Sequence, residues 1–69
     1  MNKTMEFITD LLVSGYYFQP ECGVYAKDNL DGTLSSYLQD PNSIGDLSLW
    51  SFQKTDESGN IINSDTFTL

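Results

Sequence analysis

Residues 3–14 place apolar side chains at helical spacing. At about 100° per residue, Met1, Met5, Ile8, Leu11 and Leu12 fall on one side, while Lys3, Glu6 and Asp10 gather opposite. Asn2 or Thr4 can cap the start, Glu6 suits the positive end of the helix dipole, and Gly15 is a suitable C-terminal stop. The pattern predicts an amphipathic helix.

Beyond Gly15 the period shortens to aromatic and β-branched runs separated by turn residues. Segments 16–19 and 24–27 flank Pro20-Glu21-Cys22-Gly23, where Pro fixes one dihedral and Gly admits a positive one, so a hairpin is expected. Asp28-Asn29-Leu30-Asp31-Gly32 makes a second turn cluster. Residues 33–39 fit two templates: Leu34, Ser36 and Leu38 alternate as in a strand, whereas Leu34, Tyr37 and Leu38 also match a helical ridge. The strand is preferred. Asp40-Pro41-Asn42-Ser43 then breaks the segment.

Segments 47–54 and 61–69 bracket Thr55-Asp56-Glu57-Ser58-Gly59-Asn60, the strongest hairpin signal in the chain. Trp50 and Phe52 share one strand face, and Leu47 and Leu49 point to the other. Apolar groups on both faces mean that one packs on the helix and the other meets solvent or a partner. The expected fold is α+β: an N-terminal amphipathic helix packed on an antiparallel sheet of about four strands, in one domain spanning residues 1–69. Segment 33–39 is its least determined part.

Composition narrows the function. The chain has 69 residues, 39% hydrophobic and 13% aromatic, too apolar to stay disordered on composition alone. Its apolar runs are far shorter than the roughly 20 residues of a membrane-spanning helix, and Glu6 and Asp10 interrupt any signal-peptide core. A soluble, cytoplasmic protein is expected. The single cysteine, Cys22, cannot form an intramolecular disulfide, which fits a reducing compartment.

Candidate chemistry is sparse. Asp28-x-x-Asp31-Gly32 suggests a calcium loop, but with Gly32 at loop position 6 the first ligand becomes Lys27 and the last Leu38. A polar hairpin turn is the better reading. Cys22 sits beside Glu21 with no His in the chain to act as base, so it is taken as a buried or incidental thiol. No metal, cofactor or catalytic centre is expected.

The charge balance points elsewhere. Ten Asp and Glu against three Lys give a net charge of −7, which repels nucleic acid and anionic membranes and favours a basic protein surface. Residues 28–53 carry Asp28, Asp31, Asp40 and Asp46 without a base, and residues 55–69 add Asp56, Glu57 and Asp65. A solvated, solubilising surface is the plainer explanation. The sharper one is an acidic face with exposed tyrosines, Tyr17, Tyr25 and Tyr37, that docks on a basic nucleic-acid-binding cleft. Asp28, Asp31, Asp40 and Asp46 would form its main patch and Asp56 with Glu57 a second. In size and charge, though in no motif, the chain is similar to phage-encoded inhibitors of the anti-CRISPR and DNA-mimic kind. That implies a non-enzymatic inhibitor in the host cytoplasm, monomer or homodimer; the competing expectation is a small assembly subunit pairing through the edge segment 61–69.

Overall fold

The computed structural model describes residues 3–40 and 48–69. Its elements are α1 (Lys3–Val13), β1 (Tyr17–Gln19), β2 (Val24–Asp28), β3 (Leu34–Gln39), β4 (Leu49–Thr55) and β5 (Ile61–Thr68). The strands pair antiparallel in the order β1-β2-β3-β4-β5, a meander with α1 on one face. The α+β expectation holds, with five strands in place of about four. Segment 34–39 forms the central strand because Tyr37 stands opposite both Tyr25 on β2 and Phe52 on β4, which rewards strand geometry over a helical ridge.

The helix stops as its sequence suggests. Gly15 takes φ +100°, and the Gly15 and Tyr16 amides donate to the carbonyls of Leu12 and Leu11. These two bonds satisfy carbonyls that the helix end would otherwise leave open. The chain then turns directly into β1.

The core is an aromatic layer between α1 and the sheet. Phe7 stands edge-on to Tyr37, Trp50 and Phe67, with ring centroids 5.5, 4.9 and 5.7 Å apart. Tyr25 and Tyr16 extend the layer toward Trp50 and Tyr37. Trp50 is fully buried. Its indole N–H donates to Ser48 Oγ at 2.7 Å, and Gln39 Nε2 donates to the same oxygen at 3.1 Å, so the polar atoms of this core are satisfied. Truncating a buried Trp costs about 3–5 kcal/mol. A chain of 69 residues has roughly 3–10 kcal/mol of total stability, so this one ring carries a large share of it.

The helix is rotated relative to the stripe read from its sequence. Phe7 and the buried Leu11 face the sheet, whereas Met5 and Leu12 are about half exposed. Aromatic partners on β3, β4 and β5 make Phe7 the better wedge than an aliphatic ridge, and the helix turns to seat it. Of the rest of the expected stripe, Ile8 is half-buried and Met1 lies outside the described residues, as do Leu47 and Asp46. No described helix is long and apolar enough to cross a membrane.

The opposite sheet face carries no layer among the described residues. Tyr17, Leu34 and Leu38 remain 49%, 39% and 40% exposed there. Leu49 lies on that face, as expected for a neighbour of Trp50.

Candidate acidic interface at one end of the sheet

In a meander, alternate turns lie at the same end. The β2–β3 turn (29–33) and the β4–β5 turn (56–60) therefore sit side by side, about 10 Å apart for strands spaced roughly 4.8 Å. This brings Asp28, Asp31, Asp56 and Glu57 to one end of the molecule. Between the turns lies an open cleft of about 300 Å³ lined by Asp31, Gly32, Thr33, Asp56, Glu57 and Ser58.

Each turn is held by its own aspartates. Asp28 Oδ1 accepts the Leu30 N–H, and Asp31 Oδ1 accepts the Thr33 N–H, both at 2.9 Å. Asn29 Nδ2 reaches back to Thr33 Oγ1 and to the buried Ser35 Oγ, tying the turn to the sheet. In the second turn Asp56 Oδ1 accepts the amides of Ser58 and Asn60, each at 2.9 Å. These bonds hold both carboxyls below the usual range: Asp31 chiefly through the Thr33 hydroxyl and amide, with Lys54 helping, and Asp56 chiefly through the Asn60 backbone. The charges are thus fixed in place and persist at neutral pH.

At the tip of the first turn, Leu30 adopts a left-handed φ of 64° and is 92% exposed. An apolar residue is strained in that conformation, where Gly or Asn is preferred. Sequence reading passes over Leu30 because a leucine inside a polar turn gives no periodic signal. Its exposure is visible only once the turn is built.

The other expected site residues divide. Asp40 follows β3 at the opposite end, near the β1–β2 turn that carries Glu21, so it does not join Asp28 and Asp31 in one patch. Asp56 and Glu57 are correspondingly no second patch; they belong with Asp31. Tyr17 is half exposed on the face away from α1. Tyr25 and Tyr37 do not project from the protein: both are half-buried in the aromatic layer, Tyr25 against Phe18 and Trp50, Tyr37 against Phe7 and Phe52. The limited supply of large apolar groups draws both rings inward.

The Asp28–Gly32 stretch is a hairpin turn, and among the described residues no cluster of His, Cys, Asp or Glu is arranged to hold a metal ion. Cys22 is exposed, its thiol donating to Gln19 Oε1 at 3.4 Å. Lys27 rests over the Tyr16 ring, 5.7 Å from its centroid, on the helix side of the sheet. Comparison with protein-family models, with curated proteins and with solved structures gives no match to this chain.

Proposed function

We propose that this protein is a non-enzymatic acidic ligand: a stoichiometric inhibitor that occupies a basic, nucleic-acid-binding surface of a partner protein. Its mode would be that of phage anti-defence, anti-CRISPR and DNA-mimic inhibitors. The observation that carries the reading is the gathering of Asp28, Asp31, Asp56 and Glu57 on two adjacent, hydrogen-bonded turns. Carboxylates spread over two turns about 10 Å apart can stand where phosphates would stand in a cationic groove. Because the turns hold Asp28, Asp31 and Asp56 in place beforehand, little ordering entropy is lost on docking. Leu30 adds an apolar anchor at the rim, and the charge of −7 speeds encounter with a cationic surface.

The test is affinity capture from a cytoplasmic extract at about 0.1 and about 0.5 M salt. A retained nucleic-acid-binding protein that is released at the higher salt, and whose nucleic-acid binding is blocked by one equivalent of this chain, supports the reading. Retention that is indifferent to salt counts against it.

A second reading, a small homo-oligomeric assembly subunit, draws on the sheet face that no described element covers, with Tyr17, Leu34 and Leu38 exposed. Sedimentation at micromolar concentration separates the two, since a clean monomer removes this alternative.

A further inference from the structure

The two edges of the sheet are unlike. β1 is three residues long, and shortness alone protects it from unwanted pairing. β5 is eight residues long and carries no Lys or Pro, the usual edge guards. Seven of those eight residues would be open to an incoming strand, with only Phe67 half-buried.

The register tells which backbone groups are free. Leu69 N–H donates to Ser48 O, and antiparallel bonding alternates from there, so Asn63, Asp65 and Phe67 face β4 with their amides. Ser64, Thr66 and Thr68 turn theirs outward, and the alternation ends at the irregularity in pairing between Lys54 and Thr55. One of these is already engaged: the Thr66 N–H donates to Asp65 Oδ1 at 2.9 Å. A carboxylate thus covers the middle of an otherwise open edge.

The side chains define two tracks along this edge. Asp65 shares the helix-side face with its partner Phe52, and Ile61, half exposed and paired with Thr55, lies on the opposite face. A strand added here with basic residues on the first face would set a cation beside Asp65. Apolar residues on the second face would continue the surface of Ile61. A second copy of the chain fits poorly: each carries −7, and symmetric pairing about Asp65 would place like charges opposite one another.

We propose that the β5 edge docks an extended, basic strand of the partner protein, paired through the backbone of Ser64, Thr66 and Thr68, the incoming carbonyl taking the Thr66 N–H from Asp65 and freeing that carboxylate for a Lys or Arg. This rests on the cationic-partner reading and adds a shape requirement to it. Main-chain bonds would give affinity, and alternating side chains would give selectivity.

The probe is an eight-residue peptide alternating Lys and Val, matching β5 in length. Two controls accompany it: the same peptide N-methylated at two adjacent central residues, which blocks both of its edges and keeps its charge, and a Glu/Val version. Amide exchange and chemical shifts of the intact 69-residue protein are followed by NMR. The Lys/Val peptide is expected to slow exchange at Ser64, Thr66 and Thr68 by about tenfold or more, with neither control doing so. If the N-methylated peptide binds as well, shifting only Asp31, Asp56 and Glu57, edge pairing is overturned while the charge reading stands. If the Glu/Val peptide protects β5 equally, the cationic requirement falls. Protection that appears with protein concentration alone makes a second copy the occupant and overturns the proposal, as does failure of the Lys/Val peptide to protect β5.

Discussion

Glu57 lies against Gly32 across the two acidic turns, so closely that a Cβ at position 32 would collide with its side chain, Cγ and Cδ each standing 2.9 Å from that point. Gly32 also takes φ +89°, which a side chain resists. Gly32→Ala should therefore destabilise the fold by about 1–2 kcal/mol, read as a lower urea midpoint. The colliding atoms are the far end of an exposed, flexible side chain that can swing aside, so adding Glu57→Ala should recover only a minor part of the loss and leave the backbone strain. Full recovery of the midpoint by Glu57→Ala would mean that the collision, not the backbone conformation, sets the cost.

Ser48→Ala removes the acceptor for both the Trp50 indole and the Gln39 amide. Leaving buried donors unpaired costs about 1–3 kcal/mol, a large share of this small chain's stability. Trp50 is the sole tryptophan, so its fluorescence during urea unfolding reports the loss directly. An unchanged midpoint would place the indole in water.

Leu30→Gly should move stability and binding in opposite directions. It relieves a left-handed leucine, a gain of up to about 1 kcal/mol. It also deletes the exposed side chain proposed as the anchor, weakening the complex by about tenfold or more if that side chain is buried on docking. A variant that is more stable and binds equally well would remove Leu30 from the interface.

The lowered carboxyls of Asp31 and Asp56 give a defined pH dependence. Both release their protons more readily folded than unfolded, so their contribution to stability is fully present at neutral pH. It is lost as pH falls below the ordinary value of 3.8 toward the folded ones. Asp56→Ala should accordingly be less stable than the parent at pH 7, and the gap should close toward pH 2. Tyr37 shows the opposite limb. Burial, then Tyr16 and Asp65, raise its phenol above 10.0, so its contribution is present below that value and lost as pH climbs beyond it. Ultraviolet titration should show a tyrosine ionising above the ordinary value of 10.0.

Much of the architecture was legible along the chain. Turn chemistry located each described hairpin, with Gly23 and Gly59 at the positive dihedrals the loops demand. Two things were not. The helix's facing residue, Phe7, is chosen by rings on β3, β4 and β5, a tertiary preference that helical periodicity does not carry. The grouping of the acids depends on strand parity: a sheet of about four strands leaves the turn partners open, whereas five in sequence order set Asp31 beside Glu57 and send Asp40 to the far end. The tyrosines follow the same logic, since Tyr25 and Tyr37 are claimed by the small core and only Tyr17 stays out.

The most direct measurement is the affinity of the captured partner for the parent chain and for a variant carrying Asp31→Asn, Asp56→Asn and Glu57→Gln. Amides keep the size of these side chains and much of their turn bonding, so the sheet should persist and only charge is withdrawn. The account predicts binding at least about tenfold weaker at low salt, with a flatter dependence on salt concentration. Equal affinity and an equal salt slope would contradict it.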